Sequence, residues 1–204
     1  MFTGIVTDIG EVVGVAAGGA TGDLRFTIAT RHDLGPIALG ASIACSGCCL
    51  TVVSKGRSGE RHSFDVEVSA ETLSKTHLGG WQAGTSINLE LSLKLGDELG
   101  GHLVYGHVDG QARIVGLRAE GGSKRFTFEA PAELARFIAS KGSVAIDGVS
   151  LTVNEVAGER FGVNVISHTS AMTTLGRARE GQAVNLEVDM LARYVARLQE
   201  YGRP

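Results

Sequence analysis

Several features that mark secreted, membrane or nucleic-acid-binding proteins are scarce in this sequence. Its 204 residues include only 3 cysteines and 3 prolines, and the net charge is -3. The N-terminus lacks the basic and apolar regions of a signal peptide, and no apolar run approaches the roughly 20 residues that span a bilayer. We therefore expect a cytoplasmic protein with reduced thiols, which binds a small molecule and neither nucleic acid nor membrane.

Glycine, in contrast, is abundant. The chain has 29 glycines, about twice the ordinary usage of roughly 7%. With so little proline, this excess is typical of many tight turns between short strands. An all-β protein fits this composition.

The chain contains two copies of one sequence module. IACSGCCLTV at 43–52 matches VAIDGVSLTV at 144–153, with five of ten residues identical. Further matches join FDVEVSAETLSKTHLG at 64–79 to FGVNVISHTSAMTTLG at 161–176, SINLEL at 86–91 to AVNLEV at 183–188, RFTIA at 25–29 to RFTFE at 125–129, and FTGIV at 2–6 to VYGHV at 104–108. A repeat of this kind indicates two copies of one structural unit.

Each module has the pattern of a small barrel. Short stretches rich in Val, Ile, Thr and Phe alternate with glycine-rich breaks about every ten residues. We predict an all-β fold of two tandem, homologous, six-stranded Greek-key β-barrels, each with a short helix at one end, as at 131–140. The predicted domains are an N-terminal barrel at 1–97 and a C-terminal barrel at 98–188, followed by a helix at 189–204.

The tail is predicted to be an amphipathic α-helix. Its apolar side chains recur at helical spacing on one face, as Leu191, Tyr194, Val195 and Leu198. The residues leave two arrangements equally open. The helix packs back on its own module, or helices from several subunits pack together.

The three cysteines lie within five positions, at Cys45, Cys48 and Cys49. A structural zinc site needs four ligands, usually as two pairs, and no second pair exists. In the other module Cys45 and Cys48 correspond to Ile146 and Val149, which favours buried thiols. Cys49 corresponds to Ser150, so a nucleophilic or polar atom recurs at this place and indicates a pocket wall.

The junction LGDELGGHLVYGHVDG at 95–110 carries two histidines, His102 and His107. His107 aligns with Ile5, so the two modules differ there, as they do at Cys49. We expect two related pockets that bind the same kind of molecule, with the reactive groups divided between them.

MFTGIV, GCCLTV, ETL, LGDELGGHLVYGHVDG, IDGVSLTVNEV and TTLG, in this order, resemble the riboflavin synthase (lumazine-binding) family from end to end. The resemblance implies an enzyme that dismutates two molecules of 6,7-dimethyl-8-ribityllumazine into riboflavin and 5-amino-6-ribitylaminouracil. It implies no metal, flavin or nicotinamide cofactor. It also implies a homotrimer joined by the C-terminal helices, with each active site between the barrels of neighbouring subunits.

The resemblance also implies roles for particular residues. Four are expected to be catalytic, namely Ser42, Cys49, His107 and Asp189. Thirteen are expected to contact substrate: Thr3, Gly4, Ile5, Cys48, Thr51, Ser69, Thr72, His102, Gly106, Ser150, Thr152, Ile166 and Thr169. For Asp189, the sequence position alone favours a helix N-cap.

The alternative function is a non-catalytic carrier that binds lumazine or flavin. Such a protein is expected to lose the thiol, the GGHL…GHVDG junction or the LTV blocks, all of which are present here. A flavin-dependent oxidoreductase is disfavoured because no GxGxxG motif lies between a strand and a helix.

Overall fold

The structure is a computed structural model that describes residues 1–19 and 22–202. Within these ranges, twelve strands form two closed barrels. The first barrel contains β1 (Asp8–Ala17), β2 (Leu24–Thr30), β3 (Ser42–Cys45), β4 (Cys48–Ser58), β5 (Arg61–Val68) and β6 (Ser86–Leu91). The second contains β7 (Gly110–Glu120), β8 (Ser123–Glu129), β9 (Ser143–Ile146), β10 (Val149–Ala157), β11 (Arg160–Ile166) and β12 (Ala183–Val188).

The two barrels share one topology. The strand order around the first is β1-β2-β5-β4-β3-β6, and the order around the second follows the same path from β7 to β12. The paired strands are antiparallel, and β6 closes the first barrel by pairing with both β1 and β3. The predicted pair of six-stranded Greek-key barrels is confirmed.

Short helices occupy equivalent places in the two modules. α1 (Ala70–Lys75) and α3 (Ser167–Met172) follow β5 and β11, and each leads into a 3₁₀ turn, His77–Gly80 or Thr174–Arg177. α2 (Ala132–Ala135) has no counterpart helix among the described residues of the first module, and α4 (Met190–Tyr201) ends the chain. No helix in the described ranges has the length and apolarity to cross a bilayer.

The helix predicted at 131–140 is shorter than expected. Only Ala132–Ala135 is α-helical, and Phe137 and Ile138 then donate backbone hydrogen bonds three residues back, which is the pattern of successive turns. The apolar spacing nevertheless has its predicted effect, because Leu134 and Ile138 both lie in the core of the second barrel.

Each barrel encloses its own apolar core. Phe26, Phe64 and Ile87 are fully buried in the first, while Phe126 and Phe128 are stacked in the second. Strand alternation produces this arrangement, since every second side chain of a strand faces inward. Both barrels therefore form rigid scaffolds, on which the outward-facing residues are held in fixed places.

An approximate twofold relation governs the contact between the barrels. The Asn88 amide donates to the Asp147 carbonyl at 2.9 Å, and the equivalent Asn185 amide donates to the Ser46 carbonyl at 2.8 Å. One contact breaks the symmetry. His77 Nε2 lies 2.8 Å from Asp147 Oδ1, and this pair joins the first barrel to the second.

The tail forms the amphipathic helix that its pattern predicts. The Asp189 carboxylate caps α4 by accepting a hydrogen bond from the Leu191 N–H at 3.0 Å. The apolar face remains exposed within the single chain, with 63% of Leu191, 55% of Val195 and 71% of Leu198 accessible. Within the described chain, α4 therefore does not bury this face on its own barrel.

Candidate functional site

The opening segments of the two modules bridge the two barrels. Phe2 and Val104 pair through two backbone hydrogen bonds, of 2.7 and 3.1 Å, on the approximate twofold axis. Beyond this pair, the Gly106 carbonyl accepts from the Cys49 N–H, and the Gly4 carbonyl accepts from the Ser150 N–H, both at 2.8 Å. Each barrel is thus contacted by the opening segment of the other module.

Two glycines permit this close approach. Gly106 and Gly4 each have a φ of +76°, a conformation that side chains disfavour. A Cβ on Gly106 would lie 2.6 Å from the Cys49 Cβ, and a Cβ on Gly4 would lie 2.6 Å from the Ser150 Cβ. The close contact of each opening segment with the opposite barrel therefore requires glycine at both positions.

The first group of predicted residues, which we call the thiol cluster, comprises Ser42, Cys49, Thr51, Gly106 and His107. β3 and β4 pair so that Ser42 lies opposite Thr51. Alternation along β4 turns Cys49 and Thr51 outward, while Cys48 faces the core. His107 is exposed, with its ring 5.8 Å from that of Tyr105. The thiol cluster lies on the outside of the first barrel and includes a loop from the second module.

The three cysteines have different surroundings. Cys45 and Cys48 are free and buried, as their apolar counterparts predict, whereas Cys49 is half-buried. Burial raises the pKa of the Cys48 thiol to about 12, with the nearby Cys49 and Glu187 acting in the same direction. Burial raises the pKa of Cys45 as well. Since thiolates are the nucleophiles, burial disfavours Cys45 and Cys48, and Cys49 remains the candidate nucleophile.

The second group, which we call the serine cluster, comprises Gly4, His102, Ser150, Thr152 and Asp189. His102 Nδ1 and Ser150 Oγ share a hydrogen bond of 2.7 Å. Burial lowers the pKa of His102, and the negative charge of Asp189 opposes this shift. A neutral imidazole beside a hydroxyl and a carboxylate can accept or relay a proton near neutral pH.

His107 and Asp189 belong to the same module, but the backbone beside His107 reaches across to the first barrel. The His107 loop contacts β4 of the first barrel, beside Cys49, whereas Asp189 lies near His102 on the second barrel. Asp189 also caps α4, so its position is compatible both with the predicted helix N-cap and with the predicted catalytic role.

The predicted contacts on the helices lie at the same end of each barrel as the clusters. Ser69 caps α1 by accepting from the Thr72 N–H at 3.2 Å, and Ile166 precedes α3 and is exposed. Because Val52 pairs with Val66, the end of β5 is directed towards the start of β4, where Cys49 lies. Thr169 lies on α3 in the same place as Thr72 on α1.

Two clefts border the opening segments at equivalent positions. One, of about 430 Å³, is lined by Thr3, Ile5, Glu90 and Ser92 among others. The other, of about 470 Å³, is lined by Tyr105, His107, Glu187 and residues of α4. Volumes of this size suit small-molecule ligands.

Sequence reasoning missed two residues that shape these clefts. Glu90 and Glu187 are buried, and each accepts hydrogen bonds from backbone N–H groups in the opening segment of its own module. The signal was present, because SINLEL and AVNLEV place a glutamate at the same position of an otherwise apolar strand in both modules.

Comparison with known proteins matches the chain to the lumazine binding domain at residues 3–92 and again at 105–189. The riboflavin synthase of Brucella abortus (strain 2308) is 55% identical over 204 residues, covering all of both chains. That of Photobacterium phosphoreum is 37% identical over all of this chain and 91% of the relative. A solved structure of LumP complexed with 6,7-dimethyl-8-(1'-D-ribityl) lumazine aligns with a TM-score of 0.78 at 25% identity, covering 93% of this chain and 99% of that one.

Proposed function

The chain belongs to the lumazine binding domain family, and from this premise we propose that it is a riboflavin synthase. Two molecules of 6,7-dimethyl-8-ribityllumazine react, a four-carbon unit passes from one to the other, and riboflavin and 5-amino-6-ribitylaminouracil leave. The observation that carries the proposal is the likeness to riboflavin synthases over the whole chain, at up to 55% identity among the relatives compared.

The doubled module suits a reaction between two identical molecules. Each module supplies a cluster on one barrel wall, one built around Cys49 and the other around Ser150. Equivalent backbone contacts would hold the two ligands in similar ways, while the different side chains make one the donor and the other the acceptor. Orienting two reactants in this way removes much of the entropic cost of their encounter.

The reaction needs a base to deprotonate an acidic ring methyl and a nucleophile at the neighbouring ring carbon. In the thiol cluster, Cys49 supplies the nucleophilic atom and His107 an imidazole. In the serine cluster, His102 is a proton acceptor hydrogen-bonded to the Ser150 hydroxyl, and Asp189 places a negative charge near that imidazole. Ser42, Thr51 and Thr152 provide short hydroxyls for the polar edge of the ligand.

We further propose that the protein is a homotrimer. The apolar face of α4 is exposed in the single chain, and burying it against helices of other subunits would remove that surface from water. Trimerisation would bring the thiol cluster of one subunit to the serine cluster of the next. The enzyme is proposed to act in the cytoplasm, where its three free thiols would stay reduced.

The test is turnover by the purified protein with 6,7-dimethyl-8-ribityllumazine as the sole organic substrate. We expect riboflavin to form, with two lumazines consumed for each riboflavin, and the Cys49→Ser variant serves as the control for contaminating activity. Tight binding of the lumazine without any riboflavin would overturn the proposal and identify a carrier.

A further inference from the structure

Two glutamates occupy equivalent positions in the two modules, and each accepts hydrogen bonds from the opening segment of its own module. Glu187 on β12 is 6% exposed and accepts hydrogen bonds from three consecutive backbone N–H groups, those of Tyr105, Gly106 and His107, at 2.7, 2.8 and 3.0 Å. Glu90 on β6, also 6% exposed, accepts from the Thr3 and Gly4 N–H groups at 2.6 and 2.9 Å, and from the Thr3 hydroxyl.

The hydrogen-bond donors to these carboxylates come from the loops, and the positive charge of the N-terminus also favours their charged form. Neither forms an ion pair with a side chain in the part of the chain that the structure describes. Burial raises the pKa of Glu187, and the three N–H bonds act against that shift by favouring the charged form. A buried carboxylate with three well-formed donors is a strong local anchor, since hydrogen bonds to a charge are worth more than neutral ones.

The anchor connects to the reactive groups through one residue. Gly106 donates its N–H to Glu187 and accepts the Cys49 N–H through its carbonyl. The carboxylate of the second barrel thereby fixes the loop against β4 of the first. His107, the next residue, donates its own N–H to the same oxygen as Gly106.

Comparing the two modules shows which side chain follows the backbone that each glutamate holds. The loop that Glu90 holds carries Ile5 at the position of His107, so the same anchor holds an apolar side chain in one module and an imidazole in the other. We propose that Glu187 is a positioning residue for the reaction, which fixes the backbone of His107 next to the contact between Gly106 and Cys49. This inference rests on the proposed function.

The first arm of the test measures the anchor without turnover. Hydrogen exchange of the amides of residues 105–107 is followed by mass spectrometry in the wild type, Glu187→Gln and Glu90→Gln. We expect Glu187→Gln to accelerate exchange in 105–107 at least tenfold and to leave residues 3–4 unchanged, with the opposite pattern in Glu90→Gln. Unchanged exchange in 105–107 would overturn the inference.

The second arm separates positioning from general stability. We expect Glu187→Gln to lower kcat at least tenfold with less than a threefold change in KM, and to lower it by less than twofold in a His107→Gln background. Asp65→Asn is the matched control, because Asp65 likewise accepts hydrogen bonds from three residues, here through their side chains, but lies on the outside of β5. It is expected to keep kcat within twofold.

The outcomes are distinguishable. An active wild type with an unaltered Glu187→Gln, or an equal fall of kcat in the His107→Gln background, overturns the positioning role alone. A wild type that forms no riboflavin overturns the proposed function and the positioning role together. If Glu187→Gln does not fold, Glu187→Asp replaces it, since this variant keeps the charge but shortens its reach, and the same dependence on His107 is expected.

Discussion

Replacing Gly106 by alanine tests whether the opening segment of the second module must contact the first barrel. The new Cβ would lie 2.6 Å from the Cys49 Cβ and 2.8 Å from its backbone nitrogen. Carbon atoms in contact need roughly 3.5 Å, so the loop and β4 must separate by about 1 Å. Misplacement by about 1 Å can slow an enzyme by ~100-fold, and we expect a fall in kcat of that order for Gly106→Ala.

The backbone adds a separate cost to stability. Gly106 has a φ of +76°, where a side chain costs roughly 1–2 kcal/mol. Gly121 is the matched control, because its φ is +59° and a Cβ there would meet nothing within 4 Å. Gly121→Ala should lose similar backbone stability and keep its turnover within about twofold.

The assay combines thermal unfolding with riboflavin formation at saturating lumazine. Gly106→Ala should be both less stable and about two orders of magnitude slower, whereas Gly121→Ala should only be less stable. Wild-type turnover in Gly106→Ala, or an equal loss in Gly121→Ala, would refute the reasoning from close approach.

Three further predictions concern other parts of the molecule. Cys49→Ser should bind lumazine but lose most turnover, whereas Cys45→Ala and Cys48→Ala should remain active with reduced melting temperatures; equal losses of turnover would contradict this. Burial alone would lower the pKa of His77, but the charge and hydrogen bond of Asp147 together raise it. The stability that this pair contributes to the fold is therefore present below the usual histidine pKa near 6.5, and it is lost as pH rises through the folded pKa. Denaturant unfolding should therefore show His77→Gln less stable than wild type by roughly 1–3 kcal/mol at pH 6, with the difference shrinking at pH 8.5, and a constant difference would contradict it. The exposed apolar residues of α4 to be changed to serine are Leu191, Val195 and Leu198. The variant should sediment as smaller particles, and its turnover should partly recover at higher protein concentration. A fully active monomer would contradict the trimer.

Much of the fold could be predicted because the sequence contains an internal repeat. The repeat placed equivalent strands in register, so that β3 and β9, or β4 and β10, correspond residue by residue. The segment at 131–140 was less predictable, since its apolar spacing suits successive turns as well as a helix. Periodicity determines which side chains are buried and leaves the backbone path between them open.

The residues of the candidate site could be predicted, but the contacts that join the two modules around them could not. Pairing Cys49 with Ser150 across the modules identified the outward-facing positions of β4 and β10. The contact of each opening segment with the other barrel could not be predicted, because a repeat is equally compatible with segments that contact their own barrel alone. Glu90 and Glu187 were overlooked because buried acids are uncommon, and only the backbone donors of the folded loops explain them.

Mixing inactive variants tests most directly how the two clusters combine. Cys49→Ser disables the thiol cluster and Asp189→Asn the serine cluster, so trimers reassembled from an equal mixture should regain intact sites between subunits, about one in four by random assortment. A mixture of Cys49→Ser with His107→Gln should regain none, because both changes fall in the thiol cluster of the same chain. Recovery in the second mixture, or none in the first, would contradict a site formed by the thiol cluster of one subunit and the serine cluster of its neighbour.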